Sequence, residues 1–208
     1  AKAISMPVGD CTLTVVGKGS GMIEPNMATM LVYIFTDADI SSADLDRMLR
    51  KGVNKSFNML SVDTDTSTSD TVAIMANGLA GSVDLDEFST ALDLACVRMT
   101  EMLARDGEGA TKLIRAEIEG ATDEKQAQIY ARSIINSPLI KTMAFGADPN
   151  IGRLLMALGK CFENDFDLTK LKMSVNDVLI YTDCEKAEYD DASLRKLISG
   201  DPVVFQID

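Results

Sequence analysis

Strand patterns and amphipathic helix patterns alternate along this 208-residue chain, and that alternation constrains the fold more than any other feature. The longest helix pattern covers residues 84–105, where apolar residues recur at steps of three and four. They are Phe88, Leu92, Ala95, Met99, Met102 and Leu103. The other elements predicted before residue 110 are strands at 12–16, 30–35 and 72–75, and a helix capped by Ser41 or Ser42 that carries Leu45, Met48 and Leu49 on one face.

A change of pattern near residue 110 predicts a boundary between two domains. We expect an α/β domain at 1–110, partial at its N-terminal side, and a smaller α/β domain at 111–208, truncated at its C-terminal end. In the second domain the predicted strands lie at 114–119, 139–145, 171–176, 178–183 and 203–207, and the predicted helices at 123–136, 150–160 and 191–199. Strands alternating with helices indicate an α/β layered sandwich, with sheets packed between helices, rather than a helical bundle.

The chain contains no histidine, which removes the usual general base for chemistry near neutral pH. Ser-His-Asp and Cys-His arrangements and histidine-ligated zinc are therefore excluded. The four cysteines, Cys11, Cys96, Cys161 and Cys184, are far apart, so neither a zinc ribbon nor a dense disulfide framework is indicated. We expect buried or half-buried free thiols in a reducing cytoplasm, and no metal site.

Acidic residues outnumber basic residues by 32 to 20, which gives a formal net charge of −12. A surface of that sign repels a phosphate backbone and an anionic membrane leaflet, so neither nucleic acid nor a membrane is an expected partner. The sequence has no apolar run long enough to span a bilayer. Residues 1–7 also lack the long apolar centre of a signal peptide, so a cytoplasmic location is expected.

Two segments partly match ligand-binding motifs, and both matches fail. In the glycine-rich stretch Gly17–Gly21, a dinucleotide fingerprint would need glycine where Met22 stands, and a P-loop would need serine or threonine where Gly19 stands. The acidic run at 63–70 fails as an EF-hand loop at both its glycine and its glutamate positions. Short hydroxyl and carboxylate side chains also satisfy turns by local hydrogen bonding, so a structural role is favoured for this run.

A chain without histidine can still activate a hydroxyl if the base is its own α-amino group. The pKa of an α-amine, about 7.7–8.0, is closer to neutral pH than the value of about 10.4 for lysine. A general base works best when its pKa lies near the working pH. Such an amine exists only if the chain is cut directly before a Thr, Ser or Cys, and the residues alone do not say where.

Five ordered blocks of sequence between residues 17 and 153 carry a family resemblance. They read GKGSGMIEPNMATML at 17–31, SFN at 56–58 with SVDTDTSTSDT at 61–71 and ANG at 76–78, GEGATK at 107–112, NSPLIKT at 136–142, and FGADPN at 145–150 with GR at 152–153. In this order the blocks closely resemble the ornithine acetyltransferase (bifunctional glutamate N-acetyltransferase) family of arginine biosynthesis.

The resemblance implies a fold of the N-terminal-nucleophile type and a precursor that cuts itself between Ala28 and Thr29. Thr29 is then the catalytic nucleophile and part of the substrate site. Its hydroxyl takes the acetyl group from N-acetylornithine and passes it to glutamate through a covalent acetyl-threonine. By the same resemblance, Lys18 contacts the substrate, and Glu108, which stands between two glycines, contacts the amino end of ornithine.

The resemblance also implies the partners. They are the substrates N-acetylornithine and glutamate, the complementary fragment of the cleaved precursor, and further copies in an oligomer of heterodimers. No cofactor is expected, and acetyl-CoA is left open as a second acetyl donor. The family's chains are roughly twice as long, so we expect a middle fragment or a shortened member. Two alternatives stay open: an aminopeptidase or amidase of the same fold, in which water takes the acyl group, and a non-catalytic acidic binding protein that retains the fold.

Overall fold

The computed structural model describes residues 2–24, 30–65, 69–161 and 167–208. The chain divides into two compact units, residues 1–110 and 111–208. In each unit a sheet packs against helices, which confirms the α/β layered fold. That these units are two domains, the first partial at its N-terminal side and the second truncated at its C-terminal end, stays a prediction.

The first unit is built around a four-stranded sheet, counted over the described residues. Its elements are β1 (Lys2–Val8), β2 (Cys11–Lys18), β3 (Leu31–Ala38), α1 (Ser42–Lys55), a 3-10 turn (Phe57–Met59), β4 (Thr71–Gly81) and α2 (Leu85–Arg105). Among the described residues the strand order is β1-β2-β3-β4, with β1–β2 and β2–β3 antiparallel and β3–β4 parallel. A parallel pair needs a crossover connection, and α1 lies in it. As a result, β3 and β4 begin at the end of the sheet where β2 finishes.

One face of this sheet packs on α1 and α2. Side chains alternate between the two faces along each strand, and the inward set of β2 and β3 is fully buried: Leu13, Val15, Val32 and Ile34. The helices contribute Met48, Phe88, Leu92 and Met99 to the same core. The predicted helix at 84–105 is therefore confirmed together with its apolar face. On the opposite face of the sheet, Tyr33, Phe35 and Met75 are exposed.

In the described part of the first unit, both α-helices begin at a side chain that caps them. The Ser41 hydroxyl accepts a hydrogen bond of 3.2 Å from the Asp44 N–H, so Ser41 rather than Ser42 is the cap. A carboxylate oxygen of Asp84 accepts from the N–H groups of Asp86 and Glu87 at 3.0 and 2.8 Å. A cap of this kind typically stabilises a helix by about 1 kcal/mol.

The second unit has a mixed sheet and its own core. Its elements are β5 (Ile114–Ile118), α3 (Glu124–Ile135), α4 (Pro138–Gly146), α5 (Gly152–Gly159), β6 (Met173–Val175), β7 (Val178–Thr182), β8 (Glu185–Lys186), α6 (Asp191–Ile198) and β9 (Val203–Ile207). Among the described residues the strand order is β5-β9-β6-β7-β8, and β5 runs parallel to β9. Ile134, Met143, Leu154 and Phe205 are fully buried in this core.

The strand predicted at 139–145 is wrong, because these residues form helix α4. Ser137 caps the helix, and Pro138 occupies its first turn, where a missing N–H costs nothing. The apolar run is short and continuous, a pattern that does not separate a buried strand from a buried helix. The burial is helical, because Ile140, Met143 and Ala144 are buried at a spacing of three and four.

Lys112 joins two helix ends of the second unit. Its ammonium group donates hydrogen bonds of 2.7 Å to the carbonyl oxygens of Ala144 and Ile198, in the last turns of α4 and α6. The last carbonyl groups of a helix have no partner within the helix and carry the negative end of its dipole. An ammonium group therefore supplies both a hydrogen-bond donor and a favourable charge. Lys112 belongs to the block at 107–112, and its contacts give that position a structural role.

Candidate active site

Lys18 lies at the end of the sheet where β2 finishes and β3 and β4 begin. The register pairs Lys18 with Leu31 at the start of β3, and Leu31 with Thr71 at the start of β4. These residues therefore form one row across three strands. Met30 directly precedes Leu31, and Asp70 directly precedes Thr71, so both residues lie at this end of the sheet.

The proposed scissile bond joins Ala28 to Thr29, and both residues lie outside the described part of the chain. The residue that follows Thr29 is described, and both of its backbone polar groups are held. The Met30 N–H donates a 2.6 Å hydrogen bond to Oδ1 of Asp70, and the Thr71 N–H donates a 3.0 Å bond to the Met30 carbonyl. The Met30 side chain is buried in the core. The chain is thus fixed one residue after the predicted nucleophile.

The Asp70 carboxylate faces competing influences. Burial raises the pKa of Asp70 above its ordinary value, while the hydrogen bond from Met30 and the positive charge of Lys18 act to lower it. The effect of burial is the largest of the three. Removing a carboxylate from water costs more free energy than one N–H donor and one nearby cation restore. Lys18 itself is exposed, so its ammonium group is open to a ligand at this end of the sheet.

Glu108 reaches the same region through the backbone. Its N–H donates a 2.6 Å hydrogen bond to the carbonyl oxygen of Ser20, in the glycine-rich loop that continues from Lys18. A Cβ atom placed on Gly21 would lie 3.1 Å from Oε2 of Glu108, so this carboxylate sits directly against the loop. The structure therefore brings the Lys18 segment and Glu108 together, as the resemblance implies, while their roles toward a substrate stay predictions.

Asp63 holds the glycine-rich loop in place, a role that the sequence analysis missed. Its carboxylate accepts hydrogen bonds from the N–H groups of Met22, Ile23 and Asp65 at 2.6, 3.0 and 3.2 Å. Burial alone would raise the pKa of Asp63, but these backbone donors outweigh it and lower the pKa. The bond to Asp65 is the local turn contact that was favoured for the acidic run. The bonds to Met22 and Ile23 span about forty residues, so no local spacing could reveal them.

The cysteines are all free, and three of them, Cys11, Cys96 and Cys161, are buried as expected. Cys184 is exposed, which corrects the expectation for that residue. Burial raises the pKa of Cys96 to about 12, so its thiol stays protonated and is a poor nucleophile near neutral pH. Within the described ranges, no group of three or more acidic or cysteine side chains is arranged to hold a metal ion. In the same ranges no helix combines the length and apolar character needed to cross a membrane.

Comparison with known proteins identifies the family. The model of the ArgJ family matches residues 1–208. The chain belongs to the ArgJ family. Among curated relatives, this ArgJ-family chain is 51% identical over 180 residues to arginine biosynthesis bifunctional protein ArgJ 2 of Clostridium acetobutylicum, covering 86% of the chain and 46% of the relative. It is 43% identical over 212 residues to glutamate N-acetyltransferase Oat2 of Streptomyces clavuligerus, covering 100% of the chain and 54% of the relative.

The ArgJ-family chain spans about half the length of these curated relatives. Its fold is similar to a crystal structure of arginine biosynthesis bifunctional protein argJ from Bacillus halodurans, with a TM-score of 0.79 and 34% identity. That match covers 84% of this chain and 85% of the solved chain. The resemblance stated from the sequence blocks is therefore confirmed at the level of the family and its fold.

Proposed function

We propose that the protein represented by this chain transfers the acetyl group of N-acetylornithine to glutamate, with Thr29 as its nucleophile. The names of the relatives, which include a glutamate N-acetyltransferase and bifunctional proteins of arginine biosynthesis, support this class of reaction. The observation that carries the proposal is the fixed backbone of Met30. It holds the residue after Thr29 at the sheet end where Lys18 lies, and the loop that Glu108 contacts continues from Lys18.

Self-cleavage produces the base in this proposal. The Thr29 hydroxyl attacks the Ala28 carbonyl carbon, the bond from that carbon to the Thr29 nitrogen breaks, and the nitrogen leaves as an amine that takes up the hydroxyl proton. Water then hydrolyses the resulting ester to give the Ala28 carboxylate and the free Thr29 hydroxyl. The new α-amine, with an ordinary pKa of about 7.7–8.0, is suited to accept a proton from that hydroxyl.

Turnover then consists of two acyl transfers. The Thr29 oxygen attacks the acetyl carbonyl carbon of N-acetylornithine, and ornithine leaves with its α-nitrogen protonated. The amine of glutamate attacks the acetyl-threonine ester, forms N-acetylglutamate and returns the hydroxyl. The Lys18 ammonium pairs with a substrate carboxylate, and the Glu108 carboxylate pairs with the side-chain ammonium of ornithine. These steps need no metal or other cofactor, and acetyl-CoA is a further donor to be tested.

The partners and location follow from the same proposal. The complementary fragment of the precursor completes the site, and the heterodimers assemble into an oligomer. A reducing cytoplasm suits four free thiols and a biosynthetic role.

Product analysis tests the proposal. The full-length protein is incubated with N-acetylornithine labelled in its acetyl group, with and without glutamate. We expect label in N-acetylglutamate, one ornithine released per acetyl transferred, and a rate that rises with pH between 6 and 9 as the α-amine loses its proton. Labelled acetate with or without glutamate would assign an amidase instead. The variant Thr29→Ala should remain one uncut polypeptide by mass spectrometry, and normal processing of that variant would exclude Thr29.

A further inference from the structure

We infer that Asp70 is a positioning residue for the nucleophile and that it acts through the backbone N–H of Met30. The inference rests on the proposed function for the identity of the nucleophile. It concerns a residue that the family resemblance leaves without a role.

The contact between Asp70 and Met30 is short and well placed to restrain the chain. The Met30 N–H reaches Oδ1 of Asp70 at 2.6 Å, which is shorter than the usual N–H···O distance of about 2.7–3.2 Å. The peptide group that carries this N–H is planar, so the bond is a restraint one covalent step from Thr29. The Thr71 N–H bond to the Met30 carbonyl and the burial of the Met30 side chain complete the restraint.

The topology explains why Asp70 is available for this contact. It directly precedes β4, and the parallel pairing of β3 with β4 brings the two strand starts together although they are about forty residues apart. The charged group that acts on Asp70 is Lys18, at the end of β2, which is separated from β4 by β3. Asp70 therefore sits between a predicted substrate-binding cation and the backbone beside the nucleophile. A displaced nucleophile slows acyl transfer steeply, because the reacting atoms must be held close to the geometry of attack.

Two conservative variants separate the position of the acceptor from its charge. Asp70→Asn keeps an acceptor oxygen for the Met30 N–H and removes the charge, whereas Asp70→Glu keeps the charge and displaces the acceptor by one methylene. In the full-length protein we expect Asp70→Asn to retain self-cleavage and kcat within about threefold of the wild-type protein. We expect Asp70→Glu to slow both by about tenfold or more, with KM for N-acetylornithine changed by less than about threefold.

A matched control lies at the other end of the same sheet. The Thr12 N–H donates a 2.7 Å hydrogen bond to Oδ1 of Asp37, so Asp37→Glu perturbs the same kind of bond away from the site. We expect that variant to cleave and turn over like the wild-type protein. Equal loss in Asp37→Glu and Asp70→Glu would show a general effect on the sheet and overturn the inference.

Activity, thermal melting and cleavage rates together test the role of Asp70. If Asp70→Glu is active and Asp70→Asn is not, Asp70 acts by its charge, and positioning through Met30 is refuted. Thermal melting of both variants shows whether either one has a folding defect. If Asp70→Glu does not fold, Asp70→Asn still tests whether a retained acceptor oxygen is enough for activity. If the wild-type protein is cut at residue 29 but makes no N-acetylglutamate, the proposed function fails while the cleavage rates still test Asp70. If the wild-type protein is active and both variants match it, only the role of Asp70 fails.

Discussion

The backbone N–H of Glu108 donates a 2.6 Å hydrogen bond to the carbonyl oxygen of Ser20, which ties the turn after α2 to the loop after β2. This bond depends on neither side chain, so the carboxylate of Glu108 stays free to meet a ligand while the backbone stays in place. The two segments that carry Lys18 and Glu108 are therefore fixed to each other before any substrate binds. Such preorganisation lowers the entropic cost of binding.

Glu108→Gln should weaken the use of N-acetylornithine and leave self-cleavage intact. The substitution preserves size and the Ser20 bond but removes the charge that pairs with the ornithine ammonium, so we expect kcat/KM to fall by about tenfold or more. N-acetylnorvaline, which lacks that ammonium group, is the control substrate and should be used equally by the variant and the wild-type protein. Equal losses with both substrates would remove Glu108 from ammonium recognition.

Gly21→Ala should disturb the same carboxylate from the other side. The added Cβ would lie 3.1 Å from Oε2 of Glu108 and 3.6 Å from Oδ2 of Asp63, so the Glu108 side chain has to shift by a few tenths of an ångström. Because the end of a glutamate is flexible, we expect a several-fold rise in KM for N-acetylornithine with an almost unchanged melting temperature. Gly159→Ala, where a Cβ meets nothing within 4 Å, is the control for steady-state kinetics. An unchanged KM in Gly21→Ala would contradict this arrangement.

Asp63→Asn should destabilise the first unit in a pH-dependent way. The folded-state pKa of Asp63 is lowered, so its ionisation stabilises the fold above the ordinary carboxyl pKa, and this contribution is lost as the pH falls through the lowered value. We expect a deficit of about 1 kcal/mol in urea unfolding at pH 7 that narrows below about pH 4. Asp65→Asn changes the charge equally, two residues away, and should show no such deficit. A deficit that is constant with pH would argue against the carboxylate bonds.

Lys112→Met should destabilise the second unit without affecting the site. Removing the ammonium leaves the carbonyl groups of Ala144 and Ile198 without their donor, and we expect a loss of about 2 kcal/mol or more in unfolding free energy. Lys125→Met, at an exposed position in α3, is the control and should melt like the wild-type protein. Self-cleavage should continue in both variants, measured by denaturing electrophoresis at a temperature where both are folded.

Local signals predicted the helices well, because caps and periodic apolar residues lie close together in the sequence. Ser41 and the apolar face of residues 84–105 are examples. Strand β1 was not predicted, although Ile4, Met6 and Val8 are less exposed than the residues that alternate with them. The strand prediction was wrong at helix α4, because a short, continuous apolar run fits a buried strand and a buried helix equally well. The contacts of Asp63 and Asp70 could not be predicted, because each joins positions about forty residues apart that only the strand pairing brings together.

Strands β2 and β3 are hydrogen-bonded neighbours from Lys18 with Leu31 to Leu13 with Thr36, and the proposed cut falls in the connection between them. A cut there would assign β1 and β2 to one polypeptide and β3 to the other. The backbone hydrogen bonds between β2 and β3 would still hold both polypeptides in a single sheet. The products would travel as one particle in a native gel and separate only in denaturant. Maturation would thus create a fresh chain terminus without loosening the molecule.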